Sequence, residues 1–152
     1  VSEGATEVWF YHLERTGLDQ ALPELLEKTL QRGWKALVRA RTPERLTHLD
    51  GALWSYRDDS FLPHGPDDES HPARQPILLT TGFDNANGAD ALFLVEGAEP
   101  GSLEGFARCV VLFDGGDEAQ LAVARAQWSA VKATGVPVSY WRQQARGWER
   151  QA

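Results

Sequence analysis

Four histidines, one cysteine and many carboxylates are the side chains of this 152-residue sequence with intrinsic reactivity. His64 and His71 bracket Asp67, Asp68 and Glu69. These residue types can bind a divalent metal, but their spacing matches no tight zinc pattern and the intervening residues read as a solvated loop, so no metal is expected. His12 ends a strand-like run and His48 lies on a helix-like one, and no Gly-x-Ser-x-Gly elbow gives either a nucleophile to activate. Cys109 opens the apolar run Cys109-Val-Val-Leu-Phe113, the setting of a buried small hydrophobe rather than of a nucleophile. Phosphate chemistry is also poorly served. Glu14-Arg-Thr-Gly17 follows the first strand-like run without G-x-G-x-x-G or G-x-x-x-x-G-K-[ST]. The Gly115-Gly116 turn runs into Asp117-Glu118, whose charges oppose phosphate at a helix N-terminus. The set therefore points to no catalytic residue and no cofactor. A small α/β nucleotide-binding enzyme, or a degenerate relative of one, is the alternative that the fold class keeps open.

Two other groups of residues have types and spacing suited to binding. Leu121, Arg125, Trp128 and Lys132 follow i, i+4, i+7 and i+11 and so share one helix face. An aliphatic and an indole flanked by two cations suit a short peptide that carries an apolar side chain and a carboxylate. A charge-assisted bond to arginine contributes about 1.5–3 kcal/mol, and an apolar anchor a similar amount on burial. The same spacing also describes a core indole with two solvated cations, and the pattern leaves both readings standing. The second group is Trp54, Tyr56, Phe61, Leu62 and Pro63, set among Arg57, Asp58 and Asp59. Such aromatics either fold back as a lid or form a binding patch, where Trp and Tyr are enriched.

Charge narrows the choice. The net charge is −7, against what a phosphate-neutralising domain needs. The charge is split: residues 1–118 carry 10 Lys and Arg against 21 Asp and Glu, whereas Arg125, Lys132, Arg142, Arg146 and Arg150 face only Glu149 beyond them. The basic end, including the segment 142–152 read as a basic C-terminal tail, is where an anionic partner is expected. Direct single-strand binding through Trp128, Trp141 and Trp148 with the tail arginines follows a known stacking logic, but the net acidity argues against it.

The elements that must position these residues alternate along the chain. Glu7–Leu13 reads as a strand. Leu18, Ala21, Leu22, Leu25, Leu26 and Leu30 then form one helical face closed by Gly33, with Pro23 expected in the first turn. A strand follows over 35–38, and a helix capped by Thr42-Pro43 runs to about Trp54. A long loop spans 55–75. Strands are expected at 76–80, 91–95, 109–113 and 136–141, a short helix at 102–107, and a longer helix from Glu118 to Ala133. Continuous apolar strands alternating with helices imply one α/β domain, a three-layer α/β/α sandwich around a mostly parallel, Rossmann-like central sheet. There is no run of about 18 apolar residues, and Val1–Thr6 lacks the features of a signal peptide. A soluble, cytoplasmic protein is the expectation.

The string Leu49-Asp-Gly-Ala-Leu-Trp-Ser-Tyr-Arg-Asp-Asp-Ser-Phe-Leu-Pro-His64 resembles the signature of the chi subunit family of bacterial DNA polymerase III, clamp-loader accessory proteins. Phe10-Tyr-His-Leu13, Leu37-Val-Arg39, Gln75-Pro-Ile-Leu-Leu79, Phe113-Asp-Gly-Gly116, Ala124-Arg-Ala-Gln-Trp128 and Tyr140-Trp141 agree in the same order. The resemblance implies a non-catalytic α/β adaptor. Its expected partners are the psi subunit and the acidic C-terminal tail of single-stranded DNA-binding protein, with a repair helicase sharing the psi surface in some members. It implies that Trp54, Phe61 and Pro63 serve the psi or helicase contact and that Arg125, with Trp128 beside it, serves the tail. Leu121 and Ser129 stand where some members carry further basic residues, which shifts the expected tail contact toward Lys132 and the tail arginines.

Overall fold

The computed structural model describes residues 6–55, 64–66, 75–145 and 147–152. Their elements are β1 (Glu7–Leu13), α1 (Leu18–Gln31), β2 (Ala36–Arg39), α2 (Pro43–Trp54), β3 (His64–Pro66), β4 (Ile77–Thr80), β5 (Ala91–Val95), β6 (Arg108–Asp114), α3 (Glu118–Ala133), β7 (Val138–Gln143) and β8 (Trp148–Arg150). The strands form one sheet in the order β3-β4-β2-β5-β6-β1-β7-β8. All neighbours pair in parallel except β7 and β8.

The apolar runs that suggested a parallel sheet are covered on both faces, and every residue of β2, β4 and β5 is buried. Alternate residues feed two cores. Tyr11, Leu13, Val38 and Phe93 pack with α1 and α2, while Val8, Phe10, Leu37 and Leu92 pack with α3. The caps sit where the residue types put them. Thr42 accepts the Arg45 N–H with Pro43 at the helix start, and Asp117 accepts the N–H groups of Ala119 and Gln120. Gly33 and Gly135, at φ of 84° and 83°, end α1 and α3 in the left-handed conformation that glycine adopts freely.

Four local features differ from the sequence expectations. Pro23 lies inside α1 rather than in its first turn, and it is buried. Residues 102–107 form turns rather than a helix. Gly101 and Gly105 take positive φ, the Ala107 N–H goes to Asp90 O, and the Thr6 hydroxyl donates to the carbonyls of Leu103 and Phe106. Those bonds replace the i→i−4 ladder a helix would need. Part of the expected loop forms β3 beside β4. The segment read as a basic tail closes the sheet instead, with Trp141, Arg142 and Gln143 of β7 paired to Arg150, Glu149 and Trp148 of β8.

The order of the sheet sets up the sites. β1 connects through α1 toward β2, and β6 connects through α3 toward β7, so two adjacent strands send their connections in opposite directions on opposite faces. The carboxyl ends of β1 and β6 therefore flank the crevice where this class of sheet usually holds ligands.

Candidate functional site

The crevice at that switch point has a volume of about 410 Å³ and is walled by Glu14, Asp19, Glu96 and Asp114. Two of its basic residues face carboxylates, while Arg15 also lines it with no ion pair among the described residues. Arg45 Nε lies 2.7 Å from Glu96 Oε1, and His48 Nε2 lies 2.6 Å from Asp19 Oδ2. The backbone N–H groups of Glu14, Arg15 and Thr16 fan around one point, as they would around a phosphate. That point is filled by Gln143 Oε1, at 3.0, 2.7 and 3.0 Å, and Gln143 Nε2 donates to Thr16 Oγ1 at 2.7 Å. Four carboxylates thus line this crevice, and a side-chain amide takes up the N–H cluster that could otherwise meet an anion.

A second groove, of about 740 Å³, lies between α3 and β7 with the ends of β1 and β6 at its base. Leu121, Arg125 and Trp128 line it as their spacing predicts. Lys132 does not; its ammonium sits 5.7 Å from the Trp128 ring centroid, outside the wall. Trp128 is part core and part wall: half-buried, it meets Phe10 edge to face at 5.4 Å and Tyr140 at 5.7 Å while one part lines the groove. The indole is therefore at once a member of the core and a part of the groove wall.

The rest of the wall was invisible from the helix pattern. His12 Nδ1 and the Tyr140 hydroxyl are 2.5 Å apart. Burial is the larger influence on His12 and lowers its pKa against the opposing pull of Glu14, which favours the neutral imidazole. A Cβ at Gly115 would fall 1.8 Å from His12 Nε2, so the close approach of the ring to the backbone requires glycine there. Arg142 also lines the groove, but its guanidinium is held by Glu14 through Nη2 and Nε, each 2.8 Å from Oε1. Arg125 is exposed and has no ion pair among the described residues. The groove therefore combines an apolar shelf of Leu121 and Trp128 with one uncommitted guanidinium.

The aromatic patch is only partly described. Trp54 ends α2, is 57% exposed and has its ring centroid 4.7 Å from that of His64. The buried His64 side chain places Nε2 3.0 Å from Asp50 Oδ1. Tyr56, Phe61 and Pro63 lie outside the described residues, as do His71 and the acidic run 67–69. Trp54 stands by the β3 edge and the α3 groove lies toward β7, so the two sites are at opposite ends of the sheet. The stacking set of Trp128, Trp141 and Trp148 does not assemble. Trp141 and Trp148 pack with Trp9 and Tyr11 on the α1 face, across the sheet from Trp128.

Residues 5–139 match the family model for "DNA polymerase III chi subunit, HolC". The chain belongs to that family. It is 29% identical over 85 residues to the "Probable DNA polymerase III subunit chi" of Rickettsia prowazekii, a match covering 56% of this chain and 52% of that protein. It is 30% identical over 93 residues to the "DNA polymerase III subunit chi" of Pseudomonas aeruginosa, covering 61% and 64%. The matches thus span about half to two thirds of the length of these relatives. The family is one of DNA polymerase III subunits, and the resemblance carried by the Leu49–His64 string is to the family that the full comparison assigns.

Proposed function

We propose that this chain is a non-catalytic replication adaptor. It docks the acidic C-terminal tail of single-stranded DNA-binding protein in the α3–β7 groove, and it reaches the clamp loader through a psi subunit that binds the surface of Trp54, Phe61 and Pro63. The observation that carries this reading is Arg125, an exposed cation without an ion pair among the described residues, beside the apolar shelf of Leu121 and Trp128. Those groups supply what a peptide ending in an apolar residue and a free carboxylate requires. The competing nucleotide reading has less behind it, because carboxylates line the switch-point crevice and Gln143 Oε1 accepts the N–H groups of the loop after β1.

Replacing Arg125 by Ala should weaken binding of the acidic tail peptide about 10- to 100-fold, from the loss of one charge-assisted bond, with no change in thermal stability. An unchanged dissociation constant would remove the site assignment. Phe61→Glu should abolish psi binding while leaving tail binding intact; loss of both would show that the two surfaces act as one.

A further inference from the structure

On the α1 face, at the amino ends of β1, β5 and β6, a cleft of about 310 Å³ opens between α1 and the sheet. Its floor is apolar, from Leu25, Ala91, Phe93 and Val110. Its charged wall residues are all cations, Lys28, Arg32 and Arg108, in a chain whose net charge is −7. The Arg32 guanidinium lies 4.1 Å from the Trp34 ring centroid, and that of Arg108 lies 3.8 Å from Trp9 and 5.2 Å from the same Trp34. Two like charges are thus gathered around one indole. Burial and, after it, the charge of Arg32 lower the pKa of Arg108.

The counter-charge is thin. Glu7, half exposed, reaches Arg108 Nη2 only at 3.7 Å, and Arg108 Nε is buried without a hydrogen-bond partner. Lys28 and Arg32 have no ion pair among the described residues. The Tyr11 hydroxyl, also in the wall, is kept protonated by burial, its pKa pushed up to about 12. Gathering like charges costs Coulomb energy that a bound anion recovers.

We propose that this cleft docks an acidic segment of a partner protein, with carboxylates on Arg32, Arg108 and Lys28 and one large apolar side chain on the floor. Trp, Tyr and Arg, the residue types enriched where binding energy concentrates, converge here. A nucleic-acid strand fits less well, because the rings a base would need are already engaged. Trp9 stacks on Trp141 at 5.3 Å, and Tyr11 lies 4.5 Å from Trp148. The cleft lies across the sheet from the α3 groove, so its occupation does not depend on the tail site.

The test is an NMR titration of the ¹⁵N-labelled full chain, carrying Arg125→Ala to weaken the other groove, with an end-blocked Asp-Asp-Phe-Asp-Asp peptide. The indole N–H resonances report position. Those of Trp34 and Trp148 should shift saturably while that of Trp128 stays in place. Exchanging every Asp of the peptide for Asn, exchanging its Phe for Ala, or introducing Arg32→Gln should each weaken binding at least about tenfold. Arg32→Gln alters one surface side chain, so its thermal unfolding should match the parent's. No saturable shift of Trp34 or Trp148 up to about 2 mM peptide, well beyond micromolar affinity, overturns the proposal. So do shifts indifferent to the Asn peptide or to Arg32→Gln, or tighter binding of thymidine monophosphate than of the peptide at the same resonances. In the protein with Arg125 intact, Trp128 reports the tail groove separately, so failure at one site is not read as failure at the other.

Discussion

Gly115→Ala tests how the α3 groove is built. The added methyl carbon would lie 1.8 Å from His12 Nε2, 2.3 Å from Cδ2 and 2.9 Å from Cε1, all closer than real contacts permit. Gly115 does not take a positive φ, so the penalty is steric rather than conformational. The imidazole has little room to move. Its Nδ1 is tied to the Tyr140 hydroxyl, and its ring lies 5.1 Å from that of Phe113 and 5.9 Å from that of Tyr140. Overpacking of this kind costs about 1–3 kcal/mol, and breaking the His12–Tyr140 bond adds about 0.5–1.5 kcal/mol. For a domain of this size each kcal/mol lowers Tm by about 2–4 °C, so Gly115→Ala should melt about 5–15 °C below the parent by circular dichroism. Placing the same change in a His12→Ala background should recover most of that loss, because the colliding ring is gone. A Gly115→Ala protein that melts with the parent, or a penalty that persists in full without the His12 ring, would refute this account of the groove's base.

Three other outcomes follow from particular contacts. Arg39 is 2% exposed and donates to the carbonyls of Gly82, Glu99 and Pro100 at 2.6, 3.1 and 2.8 Å. Arg39→Met preserves much of the volume, leaves those acceptors without their donor, and should lose about 2–4 kcal/mol in urea unfolding. Gln143→Leu strips the acceptor from three adjacent backbone N–H groups at the switch-point crevice and should cost about 1–3 kcal/mol by the same measurement; an unchanged midpoint would mean water replaces the amide at no cost. Burial pushes the Cys109 thiol up to about 12 from 9.0 and the Tyr11 hydroxyl to about 12 from 10.0. Folded-state pKa values raised in this way mean stability that is fully present below pH 9 and declines as pH climbs toward 12. Cys109 should accordingly resist a thiol reagent at pH 8 until the chain is denatured, and rapid native-state labelling would contradict its burial.

Much of the fold was legible because its signals are local. Continuous apolar runs marked β2, β4 and β5, and Thr42-Pro43 marked the start of α2. What escaped depended on distant partners. β8 is three residues long and is defined by its pairing with β7, while residues 102–107 are held out of a helix by Thr6 and Asp90. The groove divides in the same way. Leu121, Arg125 and Trp128 share a helix period and could be read directly, whereas His12, Tyr140 and Arg142 join them only because β1 pairs with β7. Gln143 gave no signal at all, since its role requires β7 to end beside the loop that follows β1. Lys132 shows the limit of periodicity, sharing the predicted face yet lying outside the wall.

The most direct test of the adaptor reading is a fluorescence-anisotropy titration with the acidic C-terminal peptide of the cognate single-stranded DNA-binding protein, its terminal carboxylate either free or amidated. The free peptide should bind saturably and salt-sensitively near the micromolar range, about −8 kcal/mol, and the amidated peptide should lose that binding because Arg125 has no terminal carboxylate to hold. Equal binding of both forms, or binding of neither, would contradict the assignment of the α3–β7 groove.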